Sequence, residues 1–290
     1  MTTKGPIDLL RGALRDLDEG IEFRAGVATS THTVVVVDGL ERNGVPAALG
    51  RYLVGALAGA VGLDARLSDQ LLARGVDRRA EVGRTVASLV GKTNDFTTQA
   101  EIRFRDTRRN AWIGEGVGHA LLMLTAQHET SSVNGLVCTL SEVHQTPTRQ
   151  GLDSVSTYVQ AGVLGVAIGE SKTTLANPSG QLSDAIGVFA EVEEGIHGPD
   201  LRARLAAFRG ILPTELMDQV TDALWSTNAS YLPMIVHEDE FDFMSDRPSM
   251  ARLAQPRERR RVIVVRLASF NAFFDDVADA MRAAVEEVVS

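Results

Sequence analysis

Two strand-like runs, residues 154–159 and 163–168, flank Gln160-Ala161-Gly162, so the chain has almost no room in which to reverse between them. The spacing predicts an antiparallel hairpin turning at Ala161-Gly162, with Gln160 opposite Val163. Carried to the open end, that register sets Asp153 opposite Glu170. Directly opposed side chains on adjacent strands have β-carbons about 4.5–5.5 Å apart. Glu170 and Lys172 lie two residues apart on one strand and project from the same face, while Ser171 points the other way.

The rest of the chain supplies elements for a sheet around this hairpin. Val34-Val-Val-Val37 before Asp38-Gly39 predicts a buried strand stopped by a turn. Pro46 and the recurring Leu49, Leu53, Ala56, Leu57 and Ala60 predict a helix up to Gly62, and a second amphipathic stretch covers 67–90 with Leu71, Leu72, Val82, Val86, Leu89 and Val90. The basic segment 101–110 precedes a helical period in Ile113, Val117, Leu121 and Leu124, and a domain boundary is expected near Asp106. This divides an N-terminal α/β docking or regulatory region, 1–105, from a second domain, 106–290. Further strands are expected at 135–140, 232–236 and 261–267. Helices are expected from Asn177-Pro178, over 201–208 and 214–225, and over 270–289. The fold class is therefore α/β (α+β), a mixed central sheet with flanking helices rather than a regular alternation.

Two acids and one amine at an open strand end are a catalytic arrangement. Like charges this close are costly unless a cation lies between them, and hard oxygen ligands suit Mg2+ or Mn2+. Asp153 and Glu170 are the expected metal ligands. Lys172 is placed to orient or help deprotonate an attacking water and to offset charge on a phosphorane-like transition state. The chemistry that fits is phosphodiester hydrolysis.

Asp153 followed by Glu170-Ser171-Lys172, with an apolar strand leading into the glutamate, resembles the core motif of the PD-(D/E)xK, restriction-endonuclease-like, nuclease superfamily. The proline that names the motif is missing, since Leu152 precedes Asp153. The resemblance implies a restriction-endonuclease-like domain over about 106–290 and a further acidic ligand from the helix upstream. Glu115, in Trp112-Ile-Gly-Glu-Gly-Val-Gly118, matches that position, so the implied metal set is Glu115, Asp153 and Glu170. Gln181 stands where some branches carry a glutamine. More narrowly, Ile168-Gly-Glu-Ser-Lys-Thr-Thr-Leu with Ser183-Asp-Ala-Ile186 is similar to the HamA family, the nuclease subunits of Hachiman anti-phage defence systems. That similarity implies a magnesium-dependent DNase restrained by a helicase partner. The alternative is a nuclease-like fold kept as a non-catalytic binding subunit or adaptor.

Several other readings are narrowed by chemistry. The formal charge of -9 argues against coating nucleic acid by bulk electrostatics, so contact with DNA must be local or helped by a partner. Three Tyr and two Trp offer few stacking platforms for single strands. Arg103, Arg105, Arg108 and Arg109 are candidates for DNA or partner contact, whereas the run 257–261 reads as a solvated loop before a strand. His119 and His128 lack zinc-protease spacing, and His144, near Glu142, reads as a structural histidine. Gly91-Lys92-Thr93 lacks the first glycine of a phosphate loop, and Gly114-Glu-Gly-Val-Gly118 lacks dinucleotide spacing. The one cysteine, Cys138, excludes an intramolecular disulfide and fits a reducing compartment. With no apolar signal-peptide core and no membrane-length apolar run, a cytoplasmic location without membrane insertion is expected.

Overall fold

The computed structural model describes residues 5–26, 28–61, 78–126, 132–146, 151–238 and 240–288. The chain opens on α1 (Pro6–Gly20), where Leu9, Leu10, Ala13, Leu14 and Leu17 form one buried stripe. β1 (Glu22–Ala25) and β2 (Thr33–Asp38) follow, then α2 (Val45–Gly55) with proline in its first turn. α3 (Arg79–Val90) buries Val82, Val86, Leu89 and Val90. The earlier part of the stretch expected there, with Leu71 and Leu72, lies outside the described residues, as do Gly62 and His128.

α4 (Gln99–Phe104) starts at a capping box of Thr98 and Glu101 and runs through a π-helical turn (Arg105–Arg109) into α5 (Asn110–Leu124). The boundary expected near Asp106 falls inside this helical run. β1 and β2, from the first 105 residues, are hydrogen bonded into the same sheet as the later strands. Next come β3 (Leu136–Leu140), β4 (Ser154–Gln160), β5 (Val163–Thr174), α6 (Pro178–Glu193), capped by the Asn177 side chain, and α7 (Gly198–Arg209). β6 (Ala229–His237), β7 (Arg261–Arg266) and α8 (Phe270–Ala284) complete the set.

The helix expected over 214–225 is broken into single turns at Thr214–Met217 and Leu224–Asn228. Gln219 accounts for the break. Its side-chain amide accepts from the Leu164 N–H at 2.8 Å and donates to the Gly162 carbonyl at 3.1 Å, tying this segment to the hairpin turn.

Seven strands form one mixed sheet in the order β1-β2-β7-β6-β5-β4-β3. β2, β7, β6 and β5 run parallel, while β1 and the β3–β4–β5 meander pair antiparallel. Helices cover both faces. Ala167 of β5 joins the core under α1, α2, α3, α5 and α8, whereas Leu164, Val166 and Ile168 join the core under α6 and α7. Among the described residues no helix is long and apolar enough to cross a membrane.

The β4–β5 pairs run from Gln160↔Val163 to Ser154↔Gly169, the register read from the sequence. Ala161 and Gly162 both have positive φ, 49° and 79°, the mark of a type I′ turn. A non-glycine residue in the left-handed region costs about 1–2 kcal/mol, and asparagine tolerates it better than alanine. Ala161→Asn is therefore expected to raise the unfolding free energy by about 0.5–1 kcal/mol. An unchanged or lower urea midpoint would contradict that assignment of the turn.

Candidate functional site

β5 is longer than its partner. Beyond Ser154↔Gly169 it continues beside β6 alone, with Glu170↔Pro233 and Lys172↔Ile235 in register. At this uncovered rim the ladder is continued by a side chain: Asp153 Oδ2 accepts from the Ser171 N–H at 2.7 Å. Glu170 and Lys172 share the face that carries Val166 and Ile168. They pair there, Lys172 Nζ donating to Glu170 Oε1 at 2.7 Å, with side-chain exposures of 26% and 5%. The second carboxylate oxygen, Glu170 Oε2, is buried with no hydrogen-bond partner.

α5 brings Glu115 to the same place, and the crowded glycines around it explain how. A Cβ on Gly114 would collide with the Thr173 side chain, and one on Gly118 would meet Ser171 Oγ at 2.6 Å. The glycines on either side of Glu115 thus let the helix lie directly on β5, a packing role rather than a nucleotide-binding one. Gly118→Ala is expected to cost about 1–3 kcal/mol through overpacking. It should also weaken metal binding by displacing Glu115. A variant with the parent's thermal midpoint and metal affinity would show that the contact is not tight.

His144, which the sequence favours as a structural residue, completes the group. Its Nδ1 lies 3.4 Å from Glu115 Oε2, and one donor atom each from Glu115, His144 and Asp153 fall within 4.8 Å of one another. Two α5 side chains hold the segment that carries it. Trp112 Nε1 donates to the His144 carbonyl at 2.8 Å, and His119 Nε2 donates to the Ser141 carbonyl at 2.7 Å. The other ring nitrogen of His119 accepts from the Tyr52 hydroxyl at 2.6 Å. Burial pushes the His119 pKa down to about 4, so the ring is neutral and its tautomer is set by these two partners.

The sequence-predicted residues Glu115, Asp153, Glu170 and Lys172 therefore meet at one rim. The donor set close enough to hold a metal contains His144, however, and Glu170 is turned toward Lys172. Glu142 is exposed and outside this set. Gln181 sits in the first turn of α6, its N–H donating to the Asn177 carbonyl at 3.2 Å. Arg109, a candidate for DNA or partner contact in the sequence, is not accessible to either. It is fully buried, paired with Asp275 at 2.6 Å and stacked over Phe96, because α8 supplies the acid from far along the chain. Arg105 is paired with Asp106 at 2.7 Å. Arg261, at the end of the run read as a loop, is likewise buried, in β7.

Electrostatically the site is short of positive charge. Burial, and then the charge of Glu170, raises the Glu115 pKa to about 8, with Lys172 opposing. Asp153 is raised well above the usual carboxylate range by burial and by the fields of Glu170 and Glu115, against the Ser171 hydrogen bond and Lys172. Burial also raises Glu170, with Lys172 the main opposing influence. For Lys172 burial pulls downward, but Glu170, and more weakly Asp153 and Asp184, outweigh it and keep the ammonium charged. Three carboxyl groups around one ammonium suit a divalent cation. The fit is chemically sound: carboxylate oxygens and an imidazole lie within ligand spacing beside the unpartnered Glu170 Oε2.

No protein-family model matches the chain, and no curated protein matches it either.

Proposed function

We propose that this protein is a metal-dependent nuclease that hydrolyses phosphodiester bonds of DNA with a restriction-endonuclease-like site. The observation that carries the reading is the meeting of Glu115, Asp153, Glu170 and Lys172, from one helix and two strand ends, around a donor set spanning 4.8 Å. A divalent cation, held by Glu115, Asp153 and His144, would supply charge neutralisation at a bound phosphate and lower the pKa of water. The chain's own groups do the rest. Lys172, fixed by Glu170, stands where an ammonium orients water and balances charge developing on phosphate oxygens. Asp153, anchored by the Ser171 N–H, would help hold the cation. The order of α5, the β3–β4–β5 meander, α6 and the parallel strand β6 supports the same reading, since the acids and the lysine fall on the elements that the motif requires.

Within that class the segments 168–175 and 183–186 favour the effector of an anti-phage system, restrained by a helicase partner that also delivers the DNA. A net charge of -9 suits a nuclease that depends on a partner for its substrate. The test is incubation of purified protein with plasmid and Mg2+ or Mn2+, beside Glu170→Ala and Lys172→Ala. Cutting by the parent alone supports hydrolysis. Equal behaviour of all three, both alone and with the helicase partner added, would leave a nuclease-like binding subunit.

A further inference from the structure

The geometry points to His144 as a metal ligand, making this rim a mixed nitrogen and oxygen site for a first-row transition cation, Mn2+ in preference to Mg2+. The inference deepens the hydrolytic reading and rests on it for the choice of a divalent cation; the identity of the donor atoms comes from the placement of His144 itself.

Three observations carry it. First, the 3.4 Å between His144 Nδ1 and Glu115 Oε2 exceeds the usual hydrogen-bond range of about 2.7–3.2 Å. Ligands about 2.1–2.2 Å from one octahedral cation are separated by about 3 Å when adjacent and about 4.3 Å when opposed. The Glu115, His144 and Asp153 donors all lie within 4.8 Å of one another, so a contraction of about 0.5 Å places the three around a shared ion. Second, the imidazole is 3% exposed, and its backbone is pinned on both sides by the Trp112 and His119 donors. These bonds hold the backbone from which the imidazole projects. Third, Glu170 Oε2, one residue before the Ser171 N–H that holds the Asp153 carboxylate, is buried without a hydrogen-bond partner.

The donor set then decides which cation. Mg2+ takes oxygen ligands, keeps several waters and gains little from an imidazole. Imidazole favours the later divalent metals, and Mn2+ accepts carboxylates and a histidine together. Binding is accordingly expected to strengthen from Mn2+ to Co2+ to Ni2+, with Mg2+ weaker than all three.

Electron spin-echo spectroscopy of the full chain loaded with one equivalent of Mn2+ tests this without DNA. Nitrogen-14 modulation from a directly bound imidazole is expected in the parent and in His197→Ala, and its loss is expected in His144→Ala. By calorimetry His144→Ala should weaken Mn2+ by more than about 10-fold, and His144→Asp should narrow the Mn2+ to Mg2+ preference by making the set all oxygen. Absence of nitrogen modulation in the parent, its persistence in His144→Ala, or no stoichiometric Mn2+ binding overturns the inference. Should His144→Ala and His144→Asp fail to fold, His144→Asn, closer in size to the imidazole, is measured in their place: loss of the imidazole nitrogen modulation supports the inference and its persistence overturns it. Nitrogen coupling without plasmid cutting would leave the metal ligand standing and remove the hydrolytic reading; cutting without nitrogen coupling would do the reverse.

Discussion

Lys172→Met is expected to lower metal-dependent plasmid cleavage by about 100- to 1,000-fold, the usual cost of removing one preorganised charge from a transition state. Mn2+ affinity should stay near that of the parent, because the ammonium is not a ligand and its contact is with Glu170 Oε1 at 2.7 Å. The fold should survive as well. Methionine is close to lysine in length, and the Glu170 carboxyl, already raised by burial, can keep a proton once its partner is gone. The variant thus separates the charge from the metal. Lys172→Arg keeps the charge but exchanges a compact ammonium for a planar fork, so it should recover only part of the rate. Activity retained in Lys172→Met, measured on plasmid with Mn2+ saturating, would remove the lysine from the reaction and with it the main reason to read the motif as hydrolytic.

How much of this site the sequence makes legible depends on whether a residue's neighbours are local. The hairpin register follows from alternation and the Ala161-Gly162 turn, both contained in twenty residues of chain, and the observed pairs agree with it. The spacing of Ile113, Val117, Leu121 and Leu124 marks α5 by the same local logic. His144 is different. Nothing in Ser141-Glu-Val-His144 distinguishes a ligand from a structural histidine, because its position is created by Trp112 and His119 on α5 and by Glu115 and Asp153 from elsewhere. The same holds for Arg109, whose partner Asp275 lies on α8, and for 214–225, whose helical period yields to the tertiary bonds of Gln219. The glycines at 114 and 118 are legible as unusual, but their purpose needs the opposing β5 surface.

The acids also make the stability of the metal-free protein depend on pH in a direction opposite to that of salt-bridged carboxylates. In the unfolded chain Glu115 and Asp153 have pKa values of about 4. In the fold, burial and mutual repulsion raise Glu115 to about 8 and Asp153 well above its usual range. The folded state therefore holds protons that the unfolded state has released. By linkage this contribution is fully present below about pH 4 and is lost as pH climbs toward 8. The metal-free thermal midpoint is expected to fall between pH 6 and pH 8 by an amount that Glu115→Gln abolishes in part. Asp153→Asn should leave the metal-free fold as stable or more so, since it removes a like charge. A bound cation needs the same carboxylates ionised, so metal binding expels their protons, and apparent affinity should rise about tenfold per pH unit for each proton displaced. The Mn2+-induced shift in thermal midpoint should accordingly grow from pH 6 to pH 8 and flatten above it. A shift independent of pH, or a slope that Glu115→Gln leaves intact, would mean that the cation sits elsewhere and that Glu115 is an ordinary helix residue.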